Sequence, residues 1–227
     1  MAAETFLERL ENNVYICDTD QIAQTLPRLR DRGVTAEAIL QALNQGIEKA
    51  RTRFKEGSYA LPDFLLAIDA YRLGTDFLKT EFPCIADDRR TRIVIGVVEG
   101  DVHDMGKNIV AAVLEASGYE VTNLGYNVPN DDFLEALETH RPEILALSTM
   151  MSTTLVNMQN LIDQVRRFYP ETLIFIGGAP FDPDLAQQMG ADGYAENAIT
   201  IPDETRRVLT AASARQLSPV SGEEFSE

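Results

Sequence analysis

Apolar positions in the first 88 residues recur three and four apart: Phe6, Leu7 and Leu10, then Ile22, Leu26 and Leu29, then Ile39, Leu40, Leu43 and Ile47. That spacing lays each set along one stripe of an α-helix. With a further run from about Pro62 to Lys79 it predicts four short helices, each burying one stripe in a bundle. The punctuation agrees: Asp18 or Thr19 can cap the second helix, Gly33 can end it, Thr35 can open the third, Gly57 can close it, and Pro62 suits the first turn of the fourth.

From Thr91 the pattern changes. The β-branched apolar runs "RIVIGVV", "YEVTNLG", "EILALST" and "TLIFIGG" alternate with helical segments near 106–117, 131–139, 154–168, 183–189 and 201–212. Alternation of this kind predicts a doubly wound parallel sheet, and strands that are continuously apolar have both faces covered. The expected fold class is α/β: an N-terminal four-helix bundle (1–88), then a flavodoxin- or Rossmann-like domain with a five-stranded parallel sheet (89–213). The charged, proline-containing stretch "FPCIADDRR" (82–90) reads as the linker, and the acidic segment 214–227, without apolar period, as a mobile tail.

Charge narrows the partners. With 36 acidic against 20 basic residues the formal charge is −16, so nucleic acid is not an expected partner. The start "MAAETFLERLENN" lacks a basic segment followed by an apolar one, and nowhere do 18 apolar residues run together. Neither export nor a membrane span is expected, and the expected location is the cytoplasm. Cys17 and Cys84 form no C-x-x-C pair and are expected to be small buried residues.

The candidate chemistry lies just beyond the first strand, in "VVEGDVHDMGKNIV" (97–110), where His103 stands between Asp101 and Asp104. In an open α/β sheet this position opens onto the ligand crevice. The stretch contains neither G-x-G-x-x-G nor G-x-x-x-x-G-K-[ST], which removes the common dinucleotide and phosphate loops. A carboxylate two residues before an imidazole can accept the proton of one ring nitrogen and leave the other to act as a metal ligand or a general base. Hydroxyls that could accompany a base are Ser148, Thr149, Ser152, Thr153 and Thr154 after the third strand. The other histidine, His140, precedes that strand, at the opposite edge of the sheet. One histidine cannot hold a free metal ion, but it can be the single protein ligand of a metal already held in a macrocycle. From these residues alone a base, such a ligand, and a loop histidine that only bonds its neighbours all remain open.

Three separated features occur in order: Asp101-x-His103-x-x-Gly106, then Ser148-Thr149-Met150 after 41 intervening residues, then Gly177-Gly178 after 26 more. Their spacing resembles the D-x-H-x-x-G, S-x-L, G-G pattern of cobalamin-binding domains. "DVHDMGKNIV" is most similar to the methyltransferase branch, meaning methionine synthase and the small corrinoid proteins of methyl-transfer systems. The forward stretch "GSYALPDFLLAIDAYRLGTDFLK" resembles the last helix of the bundle that covers the corrin in those small proteins. Met150 departs from the usual leucine but keeps its volume and apolarity.

The resemblance implies cobalamin (methylcobalamin or a related corrinoid) with His103 as the lower axial ligand of cobalt and Asp101 holding the other ring nitrogen. A hydroxyl six residues after the serine of S-x-L, here Thr154, continues that relay in methionine synthase. Ser148 and Met150 would line the slot for the nucleotide tail, and Gly177, Gly178 and Gly106 would admit the cofactor closely. Asp104 and Met105 lie within the motif and count as cofactor-binding candidates. Tyr59, Phe64 and Leu65 would cover the upper face of the corrin. No second catalytic domain is legible, so the resemblance implies a methyl carrier, loaded by a substrate-specific corrinoid methyltransferase and unloaded by a second methyltransferase onto tetrahydrofolate or a thiol. A reductive activating protein would be a further partner. The acidic surface suits basic rims on such partners, and equally a merely soluble protein. A cobalamin-binding subunit of an adenosylcobalamin-dependent mutase and a cobalamin sensor are the alternatives.

Overall fold

The computed structural model describes residues 3–82, 90–194, 196–198 and 200–217. Cys84 and most of the expected linker lie outside the described residues. The chain divides into two compact units, Met1–Thr91 with Ala111–Glu120, and Arg92–Val110 with Val121–Glu227.

The first unit contains the four expected helices: α1 (Ala3–Tyr15), α2 (Thr19–Asp31), α3 (Ala36–Lys55) and α4 (Leu61–Glu81). Side chains close the N-termini of α2 and α3 as the sequence suggested, and Asp63 does so at α4. Asp18 accepts from the amide of Gln21 at 3.0 Å, Thr35 from that of Ala38 at 3.3 Å, and Asp63 from that of Ala60 at 2.9 Å, each filling a donor that the first turn leaves unpaired. Leu10, Ile22, Leu26, Leu29, Ile39, Leu43 and Ile68 form the buried stripe.

Phe64 belongs to this core. It is buried and stacks on Phe54 with centroids 4.8 Å apart, so it serves bundle packing and is not free to cover a ligand. Tyr59 stacks on Tyr15 and donates its hydroxyl to the Tyr15 carbonyl at 2.7 Å, while Leu65 is half-buried. Cys17 is half-buried in a left-handed turn after α1 (φ 63°), and burial together with Asp63 pushes its thiol above the ordinary value.

The second unit holds β1 (Arg92–Val97), β2 (Glu120–Asn123, which begins at the boundary between the units), β3 (Ile144–Ser148), β4 (Leu173–Gly177) and β5 (Gly193–Tyr194) in the sheet order β2-β1-β3-β4-β5. The connecting helices are α5 (Met105–Ala116, which from Ala111 on is counted with the first unit), α6 (Asn130–His140), α7 (Leu155–Phe168, entered through a 3-10 turn over Ser152–Thr154), α8 (Pro183–Gln188) and α9 (Ile201–Leu217). Val94, Leu145, Leu147, Ile174 and Ile176 face a core completed by Phe133 and Leu137 of α6 and by Met158, Leu161, Ile162 and Val165 of α7. Ile93, Ile95, Ile144 and Phe175, on the opposite face, are buried too, which is why the strands show no alternation.

Two details differ from the sequence expectation. β5 is two residues long, too short to register as an apolar run. α9 continues to Leu217, past the expected end at 212, because Ala211, Ala212, Ala214 and Arg215 are all strong helix formers. No helix among the described residues is long and apolar enough to cross a membrane.

Candidate functional site

The strand order reverses direction between β1 and β3, and the carboxyl ends of these two strands flank the crevice where α/β sheets bind ligands. In register, Val97 of β1 lies beside Ser148 of β3, which lies beside Gly177 of β4. The segments leaving these strands therefore bring the three sequence motifs together.

The loop after β1 is fixed from both sides. The Val98 amide donates to the Ser148 carbonyl at 3.1 Å, and the Asp101 amide donates back to Val98 at 3.2 Å. Asn127 holds the tip: its side-chain oxygen accepts from the Gly100 amide at 2.8 Å, and its own amide donates to the Asp101 carbonyl at 3.0 Å. Asn127 adopts φ 52°, a conformation asparagine tolerates better than most side chains.

Asp101 is completely buried at the centre of this arrangement. Its Oδ1 accepts from the His103 amide at 2.9 Å and lies 2.7 Å from His103 Nδ1. Its Oδ2 accepts from the Thr149 hydroxyl and the Met150 amide, both at 2.6 Å. Burial pushes the carboxyl upward, but the bonds from Thr149, the His103 and Met150 amides and the His103 ring outweigh it and hold Asp101 well below the usual carboxylate range. An ionised Asp101 calls for a donor at Nδ1, and the imidazole tautomer that supplies it leaves the Nε2 lone pair for a ligand. The His103 side chain is 58% exposed, so Nε2 is presented to whatever enters the crevice.

The hydroxyl beside Asp101 is Thr149, not Thr154. Thr154 is buried and reaches Thr149 with its hydroxyl at 2.5 Å, so it stands one bond further from the carboxylate than the resemblance implied. The reason is local: Thr149 is the first residue beyond β3, aimed at the Asp101 loop, whereas Thr154 closes the 3-10 turn and contacts the Met151 carbonyl at 2.8 Å. Thr149 was legible only as one of the hydroxyls after the third strand, because S-x-L leaves its middle position open.

The other candidates take distinct places. Ser148 is half-buried at the end of β3, and Met150 is largely exposed beyond it. Asp104 accepts from the Asn108 side chain at 2.9 Å and from the Asn108 amide through its carbonyl, so it secures the start of α5. Lys107, missed in the sequence, is buried there and donates to Asn108 at 2.6 Å and Asn123 at 2.5 Å; burial lowers its pKa. His140 ends α6, away from the site.

The glycines divide. A Cβ on Gly178 (φ +125°) would lie 1.7 Å from the Thr149 carbonyl oxygen, so the protein itself demands glycine there. A Cβ on Gly106 or Gly177 would meet nothing of the protein within 4 Å. In the segments leaving β1 and β3, Val102, Met105 and Met150 are exposed.

Fold and site together define a cobalamin-binding α/β domain, and the B12 binding domain family matches residues 91–202. Dimethylamine corrinoid protein 1 of Methanosarcina acetivorans is 33% identical over 212 residues, covering 92% of this chain and all of that protein. Trimethylamine corrinoid protein 1 of the same organism is 34% identical over 76% of this chain and 82% of its own length. Among solved structures, the methanol:cobalamin methyltransferase complex MtaBC of Methanosarcina barkeri matches in fold, with TM-score 0.82 at 24% identity over 95% of this chain and 85% of that one. A cobalamin-binding protein of Desulfitobacterium hafniense matches with TM-score 0.66 at 29% identity over 89% of this chain and 98% of that one. The chain belongs to the corrinoid proteins.

The residues fit a corrinoid. A single presented imidazole suits a metal held elsewhere by a macrocycle, and the described residues contain no group of three or more His, Cys, Asp or Glu side chains able to hold a free ion. Exposed apolar side chains and two glycines facing open space suit a broad, partly apolar ligand seated against backbone.

Proposed function

We propose that this chain is a methyl carrier, with cobalamin held through His103 as the lower axial ligand of cobalt. The observation that carries this reading is the exposed His103 ring, anchored through Nδ1 by a buried carboxylate whose oxygens are fully engaged. A bound corrinoid supplies a cobalt centre that accepts and gives up a methyl group; the chemistry belongs to the cofactor.

The chain's own part is to bind and orient. Asp101 fixes the tautomer and orientation of His103, as carboxylates behind metal-bound imidazoles do. Ser148, Met150, Gly177 and Gly178 would hold the nucleotide tail, and Gly106 and Met105 would lie on the corrin side of the site. Methyl donor and acceptor are selected by separate methyltransferases, one loading the carrier and one unloading it onto tetrahydrofolate or a thiol, with a reductive activating protein maintaining the cobalt. The relatives are named for dimethylamine and trimethylamine, which makes methylated amines the first donors to test.

The test is reconstitution with methylcobalamin, followed by visible spectroscopy of the wild type and His103→Ala. A histidine-ligated spectrum lost in the variant supports the ligand assignment; identical spectra overturn it. For the carrier role, the loaded protein should transfer its methyl group to tetrahydrofolate or a thiol when a cognate methyltransferase is added. No transfer with the methyltransferases encoded beside it counts against the role.

A further inference from the structure

We propose that Thr149 is a positioning residue that sets how much of the Asp101 charge reaches His103, with Thr154 acting only through it. This rests on reading His103 as the cobalt ligand.

Thr149 is completely buried, and every polar atom of it is committed. Its one hydroxyl proton goes to the ionised Asp101 at 2.6 Å, the charge-assisted one of its two possible carbonyl or carboxylate acceptors, while the Met151 carbonyl lies further off at 3.3 Å. The hydroxyl oxygen accepts from the Met151 amide at 3.1 Å and, since its own proton is spent, from Thr154 at 2.5 Å. The Thr149 amide donates to Gly177 at 3.1 Å, and its carbonyl occupies the space a side chain at Gly178 would need. Thr149 thus joins the carboxylate behind His103 to the double-glycine wall of the expected tail slot.

Donors on one carboxylate compete for the same charge. Each bond to Oδ2 leaves Asp101 a weaker acceptor for the proton on His103 Nδ1, and a weaker pull on that proton leaves Nε2 a weaker electron donor. Thr154, by donating to Thr149, polarises its hydroxyl and makes it a better donor to Asp101. The direction for each variant follows. Thr149→Val should strengthen the Asp101–His103 bond, Thr154→Val should do so less, and Thr149→Ser, which keeps the hydroxyl, should change nothing.

The first measurement uses the cofactor-free protein. The chain has two histidines, so the ring N–H proton of His103 can be followed by NMR with His140 as internal control. Thr149→Val should move the Nδ1 proton downfield, Thr154→Val by less, and Thr149→Ser should restore the wild-type position. An unmoved or upfield resonance in Thr149→Val, or a larger shift in Thr154→Val, overturns the proposal. Should valine not be accommodated, Thr149→Ala makes the same comparison, and the absence of any shift in Thr154→Val would overturn it as well.

The second measurement loads the protein with cob(II)alamin. Wild type should show nitrogen splitting from one axial ligand in its EPR spectrum, absent in His103→Ala. The Thr149→Val cobalt couple should reduce at a more negative potential, with serine matching the wild type; an unchanged potential overturns the proposal. If the wild type shows no histidine nitrogen, the ligand assignment fails, while the proton shifts still decide whether Thr149 governs the Asp101–His103 bond.

Discussion

Gly178→Ala should damage the α/β unit before any cofactor is considered. An alanine Cβ there would lie 1.7 Å from the Thr149 carbonyl oxygen, 2.7 Å from its carbon and 3.2 Å from its nitrogen. All three atoms are backbone, so no rotamer change relieves the contact. Separation to ordinary distance needs a retreat of more than an ångström, opposed by the Thr149 to Gly177 bond that ties β3 to β4. The φ of +125° adds strain for an L side chain of about 1–3 kcal/mol. Overpacking adds about 1–3 kcal/mol, giving a loss of roughly 2–6 kcal/mol and a fall in melting temperature of roughly 4–24 °C for a chain of this size. Urea unfolding of the cofactor-free protein, combined with hydrogen exchange at the β3 and β4 amides, measures the effect in this unit apart from the helical one. A loss below about 1 kcal/mol with unchanged β3–β4 exchange would show that the Thr149 segment yields easily, and would refute the rigid-wall argument.

The other substitutions separate stability from binding. Gly106→Ala places its Cβ in open space in the first turn of α5, so the cofactor-free protein should lose no stability and gain at most about 0.5–1 kcal/mol; cobalamin binding by equilibrium dialysis should nevertheless weaken, and unchanged binding would remove Gly106 from the proposed seat. Asp101→Asn presents an NH2 group to donors on at least one side and should cost about 1–3 kcal/mol at neutral pH by urea unfolding. Because the folded Asp101 carboxyl lies below its unfolded value, its contribution is complete above about pH 4 and is lost as the pH falls through the folded value; the wild type should therefore lose more stability than the variant below about pH 4, and parallel acid profiles would contradict this. Phe133→Ala empties a fully buried site between α6 and the sheet and should cost about 3–5 kcal/mol in the same assay.

Much of this was legible because it is periodic or is read by rule. Three- and four-residue spacing marked α1 to α4, unbroken β-branched runs marked β1 to β4, and Asp18 and Thr35 cap where their positions said they would. The fifth strand was expected in number but not in place, because the two residues of β5 carry no period, and α9 ran long because alanines continue a helix without an apolar stripe. Phe64 looked available to a ligand only because its partner, Phe54, comes from another helix. At the candidate site, the motif spacing singled out Asp101, His103 and the glycines, whose segments leave adjacent strand ends. It could not rank the hydroxyls after β3, since that ranking depends on where the chain turns on leaving the strand.

That turn also answers why so short a motif suffices. A buried carboxylate is costly unless its lone pairs are filled, and here two of the four donors are backbone amides delivered by the loop and strand end themselves, from His103 and Met150. The fold therefore supplies half of the Asp101 shell whatever side chains follow. The remaining two positions are the His103 ring, which faces the crevice, and the Thr149 hydroxyl, which faces the core. On the proposed reading, a change at Thr149 would alter the demand Asp101 places on His103 without removing the anchor, because the two backbone amides still hold the carboxylate.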